Sequence, residues 1–156
     1  MNNYNLSSFY NSFGIKVHFE IPCAPVPKAR PRTVSGSGGF VRTYTPAKTV
    51  NYEMVVKKYA KIAMNGRPPL AGPIQLKCSF DLPIPKSWPK KKKADALAGK
   101  LLPISRPDID NYIKAVLDAA NEIVVRDDSQ VVALVSIKQY SETPKATLIF
   151  EEIKNA

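Results

Sequence analysis

Two runs of strictly alternating apolar and polar residues, each closed by a proline, constrain the fold of this chain most. The first covers residues 15–21 and ends at Pro22, and the second covers residues 74–82 and ends at Pro83. A period of two sends successive side chains to opposite faces, which is typical of half-buried β-strands. Two further strands are predicted near the end of the chain, and the polar turn between them predicts a terminal hairpin. They cover residues 131–140 and 146–152.

Helical periodicity predicts three helices between these strands. Thr45, followed by a proline, is a favourable start for the first helix, and Asn65 with the next glycine is a favourable end. Ser87 is a candidate cap for a short second helix. The third helix is predicted over residues 108–122, where apolar residues form one face. Residues 22–44 are rich in Pro, Gly and Ser, and we predict no regular structure there.

The order of these elements predicts an α/β fold with a mixed β-sheet of about four strands packed with about three helices. We expect one domain over residues 1–156, in which residues 1–14 are a loosely ordered leader. No apolar run reaches about 18 residues, and the first residues do not resemble a secretory signal, so we expect no membrane partner and a cytoplasmic location.

Charge is distributed unevenly along the chain. Residues 1–107 contain 18 Lys and Arg against 4 acids, whereas residues 108–156 contain 5 against 9. A basic body attracts a polyanion, and a local group of carboxylates can hold a hard cation against it. This combination favours nucleic acid as the partner, and it is what metal-dependent phosphodiester hydrolysis requires.

The acidic part of the chain contains two close pairs, Asp108 with Asp110 and Asp127 with Asp128. Residues two apart on an ideal helix diverge by about 200°, so the first pair can converge only if Asp108 precedes the helix. The proline before Asp108 favours that geometry. A structural interpretation competes with this one, because Asp108 is also a good N-cap and Asp110 is favourable in a first turn. Likewise, Lys114 could form an ordinary helix ion pair.

Taken together, these motifs resemble the RusA family of Holliday junction resolvases. The resemblance covers roughly residues 15–152, and its upstream part is similar to the phage and prophage branch of the family. Each motif alone is weak, but the set is fairly specific. The motifs are RPDIDN at 106–111, Lys114, AVLDA at 115–119, DDSQVV at 127–132, PKARPR at 27–32 and YTPAKT at 44–49.

The resemblance implies a homodimeric, Mg²⁺-dependent endonuclease that cuts branched DNA by paired nicks during recombination and repair. Carried over by motif position, the catalytic and metal-binding carboxylates would be Asp108, Asp110 and Asp128, with Asp127 possible and Lys114 as the essential lysine. Mn²⁺ is an alternative ion because carboxylate oxygens accept both. No organic cofactor is implied. A dimer also suits a two-fold symmetric four-way junction.

Basic residues outside this cluster form the predicted DNA-binding surface. Most lie in the acid-free segment of residues 22–44, and four consecutive lysines begin the second predicted helix, where a solvated helix start is an equal alternative. The predicted DNA-binding residues are Lys28, Arg30, Arg32, Arg42, Lys90, Lys91, Lys92, Lys93 and Arg106.

Two other functions remain open from the sequence. The first is a non-catalytic basic DNA-binding protein in which the aspartates only cap a helix and form a turn. The second is a nuclease that uses the same site on other branched DNA or on RNA.

Overall fold

The proline-bounded alternating runs form strands of one mixed sheet in the computed structural model, which describes residues 13–154. Helices cover this sheet, as the sequence predicted. In chain order the elements are β1 (Phe13–Ile21), β2 (Arg32–Ser35), β3 (Val41–Tyr44), α1 (Ala47–Met64), β4 (Ile74–Pro83), α2 (Lys90–Leu97), α3 (Ile109–Ala120), a 3₁₀ turn (Asp128–Gln130), β5 (Val131–Ser141) and β6 (Lys145–Ile153).

The four-stranded sheet has the order β1-β6-β4-β5. Strand β5 runs parallel to β4, and the other neighbouring strands are antiparallel. The α/β class, the mixed sheet and its four strands are confirmed, but the predicted terminal hairpin is wrong because β4 lies between β5 and β6. Strand β5, at one edge of the sheet, carries exposed apolar residues, whereas Leu148 and Phe150 of the interior strand β6 are fully buried.

The hydrophobic core lies between the sheet and helices α1 and α3. The buried stripe of α1 includes Tyr52 and Val56, and that of α3 includes Tyr112 and Val116. Tyr112 packs against Phe80 of β4 with ring centroids 5.3 Å apart, a pair that contributes about 1 kcal/mol beyond its buried area. Helix α3 is therefore fixed against the sheet along its length, which makes its first turn a rigid support.

Prolines, and not the predicted hydroxyls, occupy the N-cap positions of α1 and α2. Pro46 precedes α1 and Pro89 precedes α2, and neither helix start has a side-chain cap hydrogen bond. The predictions that Thr45 and Ser87 cap these helices are therefore wrong. The predicted end of α1 is confirmed, since Asn65 adopts a left-handed conformation with φ 47° and its N–H donates to carbonyls of the last turn.

Part of the segment predicted to be irregular is a β-hairpin formed by β2 and β3. Gly38 and Gly39 supply the positive φ values of 103° and 76° that its tip requires. The predicted leader, residues 1–14, lies mostly outside the described residues, and residues 13 and 14 belong to β1. None of the helices within residues 13–154 is long and apolar enough to span a membrane.

Candidate active site

Asp108 lies at the N-cap position of α3 with an extended backbone, φ −71° and ψ 151°, and Asp110 lies in the first turn. This is the backbone arrangement that the sequence predicted, with Asp108 before the helix. The carboxylate of Asp108 makes no cap hydrogen bond, although the N-cap position would allow one. Both side chains are exposed. Their oxygens are therefore not occupied by helix capping and are available to an external group.

A lysine from the edge strand supports the segment that leads into this turn. Lys138 of β5 donates from Nζ to the carbonyl oxygens of Ser105, at 2.9 Å, and Pro107, at 3.0 Å. The sequence motifs alone did not predict this role for Lys138. A single charged residue within the apolar run of β5 was the available signal, because a strand charge usually has a specific partner.

Lys28 joins the acid-free segment to both helices. Its Nζ lies 2.6 Å from Oε1 of Glu53 on α1 and 2.8 Å from Oδ2 of Asp118 on α3, and its side chain is 24% exposed. Partial burial acts to lower the pKa of Lys28, but the hydrogen bonds to Asp118 and Glu53 outweigh it, so that pKa is raised. The backbone N–H of Lys28 also donates to the carbonyl of Asn111, at 2.8 Å. Its predicted DNA contact therefore stays a prediction, beside a clear structural role.

The two residues of the second acidic pair have different environments, because Asp127 makes structural hydrogen bonds and Asp128 faces solvent. The carboxylate of Asp127 accepts the backbone N–H of Ser129 at 2.9 Å, and Gln130 returns a bond to the N–H of Asp127, which completes a capping box. Hydrogen bonds from Ser129 lower the pKa of Asp127. The neighbouring Asp128 is exposed, and its carboxylate has no hydrogen bond or ion pair within residues 13–154. This difference favours Asp128 over Asp127 as a ligand.

One chain does not bring the two acidic pairs together. Asp108 begins α3, and Asn121 after its last turn bridges to Val125, shortly before Asp128. The helix alone separates these ends by about 20 Å. Strand β5 gives a similar result, since Lys138 lies beside the start of α3, and about 23 Å of extended strand, residues 131–138, separates it from the 3₁₀ turn that contains Asp128. Within the described residues, no group of three or more His, Cys, Asp or Glu side chains could hold a metal ion.

Lys114 and the predicted DNA-binding residues are on the surface. Lys114 lies one turn beyond Asp110 and is exposed, with no ion pair within the described residues. In α2, Lys92 lies 4.0 Å above the Trp88 ring, and Lys93 donates to the carbonyl of Lys86. The remaining predicted residues are exposed to solvent: Arg30, Arg32, Arg42, Lys90, Lys91 and Arg106.

A groove of about 930 Å³ lies directly before the first turn of α3. Its walls come from the proline-rich segment, the start of α1 and the chain around Pro107. Arg32, Lys48 and Arg106 contribute positive charge, and no acidic residue lines it. The groove therefore presents an apolar floor with basic edges next to Asp108, a combination that suits a phosphate-linked ligand with apolar faces.

Comparison with known proteins identifies the family to which this arrangement belongs. Residues 22–150 match the family model described as "Endodeoxyribonuclease RusA". The chain belongs to the RusA family of endodeoxyribonucleases. The match includes both acidic pairs, Lys114 and the groove. The chain is also similar to "Uncharacterized protein YqaN" of Bacillus subtilis (strain 168), with 38% identity over 141 residues, which is 88% of this chain and 96% of that protein.

RusA family membership confirms the resemblance inferred from the motifs and makes the protein an endodeoxyribonuclease. It excludes the alternative of a basic DNA-binding protein without catalytic activity. The roles of individual residues remain predictions. The hydrogen bonds and ion pairs of the described residues show which side chains have functional groups available to a ligand.

Proposed function

We propose that the protein is a divalent-metal-dependent resolvase that cuts four-way DNA junctions by paired nicks during recombination and repair in the cytoplasm. The observation that carries this proposal is the unused carboxylate of Asp108 at the N-cap position, beside Asp110, in a member of a nuclease family. A carboxylate that only stabilised the helix would accept a backbone N–H of the first turn, as Asp127 does in its own turn.

The donors at the start of α3 fit a hard cation. Mg²⁺ is commonly held by one or two carboxylates together with waters and substrate phosphate oxygens, and Asp108 and Asp110 supply such a pair. Mn²⁺ is an acceptable alternative for the same oxygen ligands. A bound divalent cation supplies Lewis acidity toward the phosphoryl group and a water of lowered pKa. No organic cofactor is required for this hydrolysis.

The protein's own residues have complementary tasks. Lys114 places a positive charge one turn from Asp110, where it stabilises the negative charge that develops on a phosphate during cleavage. Lys138 holds the segment before Asp108 in place through two carbonyl groups, so it is a positioning residue. Asp108 and Asp110 present their carboxylates at the start of α3, where they would hold the cation.

We propose that the active form is a homodimer joined along the β5 edge. This edge strand exposes apolar residues on both of its faces, with Val132 at 60% and Val135 at 54% exposure. Unpaired edge strands normally carry charges that prevent association, but residues 131–137 contain none. Antiparallel pairing with a second β5 would satisfy the free backbone groups and cover these side chains.

The proposed association of two β5 strands also brings together the two acidic pairs, which lie far apart within one chain. A two-fold axis near Leu134 and Val135 would set the start of the partner's strand opposite Lys138, which lies beside the start of α3. Asp128 of the partner subunit would then approach the end of α3 that carries Asp108 and Asp110. We propose that these three carboxylates form each metal site, so that a dimer has two sites for two nicks.

The basic surface would hold the DNA against these sites. Arg30, Arg32, Arg42 and Arg106 are exposed, Arg32 and Arg106 line the groove, and all four would provide phosphate contacts. Four lysines, residues 90–93, lie in the first turn of α2, where the helix dipole is also positive. An external phosphate anion would relieve this concentration of positive charge, which favours DNA contact over a merely solvated helix start.

Cleavage of a labelled four-way junction beside a linear duplex of the same sequence tests this function. We expect paired nicks in the junction with Mg²⁺, and no nicks with EDTA or in the linear duplex. Nicking of flaps or RNA in preference to the junction would establish the second alternative, a related nuclease with another substrate. Metal-independent cleavage would contradict the proposed role of the aspartates.

A further inference from the structure

We infer that the β2–β3 hairpin inserts an aromatic side chain, that of Phe40, against a base pair exposed at the crossover of the DNA junction. The inference rests on the proposed function and extends it to how the substrate is recognised. It depends on four features of the hairpin: which residues share a face, how exposed Phe40 is, how the hairpin is anchored, and where its face leads.

The strand register places charge and aromatic rings on one face of the hairpin. Arg32 pairs with Tyr44, and Val34 pairs with Arg42. Phe40 is two residues before Arg42, so it lies on this same face. The opposite face carries the pairs Thr33 with Thr43 and Ser35 with Val41. One side therefore combines two guanidinium groups with two aromatic rings, and the other is polar apart from Val41.

The backbone of Phe40 is held by a hydrogen bond, whereas its side chain is exposed to solvent. Its carbonyl accepts the N–H of Gly36 at 2.8 Å, which closes the hairpin at the tip. Its side chain is nevertheless 76% exposed. An exposed phenylalanine at the end of a hairpin gains nothing from burial in the described fold, whereas stacking on a base would cover its ring.

The hairpin is anchored beside the candidate active site. Besides the Lys28 ion pairs, the N–H of Ala29 donates to Oγ1 of Thr49 on α1, at 3.3 Å. The N–H of Lys28 is bonded to Asn111, the residue next to Asp110. Lys28 is thus a positioning residue that holds the root of the hairpin close to the first turn of α3, four residues before Arg32.

The charged and aromatic face leads into the groove next to Asp108. Arg32 belongs both to this face and to the groove lining, and Arg106 lines the same groove. The whole segment from residue 22 to residue 44 contains no acidic residue, so it is complementary to a phosphate backbone. In a linear duplex every base pair is stacked on two neighbours, but branching interrupts stacking at the crossover. A stacked aromatic wedge therefore selects the branch point.

The test compares the binding of Phe40→Ala to a four-way junction and to a linear duplex, in an Asp110→Asn background with Mg²⁺. We expect the junction Kd to rise by about 5- to 150-fold, the range for losing one stacked base, and the duplex Kd to change by less than about threefold. Phe40→Trp should restore junction binding. The matched control is Val41→Ala, since Val41 is the next residue, lies on the opposite face and is 62% exposed.

A direct readout places 2-aminopurine at the crossover, where its fluorescence reports the stacking partner of that base. We expect the fluorescence change on binding to be lost in Phe40→Ala and retained in Val41→Ala. Equal losses on junction and duplex, or an unchanged fluorescence response, would overturn the wedge while leaving the proposed function intact. If the unsubstituted protein nicks no junction with Mg²⁺, the proposed function fails, whatever the Phe40 comparison gives.

Discussion

The two acidic pairs of this chain look alike in sequence but are used differently in the fold. Asp127 lies at the N-cap of a short turn and accepts the N–H of Ser129, whereas Asp108 lies at the N-cap of a longer helix and accepts no bond there. Among the residues that the structure describes, Asp128 beside Asp127 has no hydrogen bond or ion pair, and neither has Asp110 beside Asp108. Three of the four carboxylates are therefore available to a ligand and one stabilises the backbone. A position suited to capping does not by itself show that capping occurs.

Substitution of Asp110, in the first acidic pair, should have the largest effect on nicking. We expect Asp110→Asn to reduce the rate of junction nicking by about 1000-fold or more, because a lost metal ligand removes several kcal/mol of transition-state stabilisation. Junction binding should be kept or tightened, since one negative charge near the phosphate is removed. The control is Glu122→Gln, an exposed carboxylate beyond the other end of α3, and nicking rates and Kd values are compared. Weakened binding with normal cleavage of bound DNA would contradict the role of Asp110.

In the second acidic pair, a capping carboxylate and a carboxylate available to a ligand belong to adjacent residues, Asp127 and Asp128. We expect Asp128→Asn to slow nicking by about 100-fold or more, and Asp127→Asn by less than about threefold, because Asn caps a helix nearly as well as Asp. Single-turnover cleavage of the junction measures both variants under identical conditions. The reverse order of effects would mean that the capping box is not the main function of Asp127.

Substitution of Lys28 should have a smaller effect, which is measured on the free energy of unfolding. Lys28→Met leaves Glu53 and Asp118 close together without their shared cation, and we expect the free energy of unfolding to fall by about 1–3 kcal/mol, between the values for exposed and buried pairs. Lys57→Met is the control, an exposed lysine on α1, the helix that carries Glu53. Urea unfolding measures both variants, and equal stabilities would show that the ion pairs contribute nothing.

The smallest expected effect is the pH-dependent contribution of the Asp127 capping box to stability. Since the folded-state pKa of Asp127 is lowered, its stabilising contribution is present at neutral pH and is lost as the pH falls from about 4 through the lowered folded value. Asp127→Ala should therefore have a lower Tm than the unsubstituted protein at pH 7, with the difference diminishing toward pH 2. Asp128→Ala serves as the control. A difference that persists at low pH would assign the effect to something other than the ionised cap.

Local signals predicted much of the fold and of the first acidic pair. The alternating runs, the end of α1 at Asn65 and the position of Asp108 before α3 all follow from neighbouring residues, such as the proline before Asp108. The β2–β3 hairpin was missed because Arg32–Ser35 and Val41–Tyr44 do not alternate apolar and polar residues, and because the high Pro, Gly and Ser content around them favours irregular structure. Local composition could indicate that the segment is functional, but not which face its side chains share.

Strand order and the separation of the acidic pairs could not be predicted from local patterns. The short connection after β5 predicts a hairpin, whereas β4, which is distant in sequence, lies between β5 and β6 and pairs with both. The resemblance to the RusA family implies that Asp108 and Asp128 belong to one site, but α3 keeps them about 20 Å apart in one chain. A single sequence also does not reveal which exposed edge, such as β5, a second copy would contact.

The most direct test of a site shared between two chains mixes two inactive variants. Asp110→Asn and Asp128→Asn chains are combined by refolding, and nicking of a four-way junction with Mg²⁺ is compared with each variant alone. If Asp128 of the partner subunit completes each site, a mixed dimer contains one intact site, and the mixture should regain about a quarter of the unsubstituted activity, as single nicks. A mixture as inactive as its components would contradict the shared site and place all the carboxylates of each site in one chain.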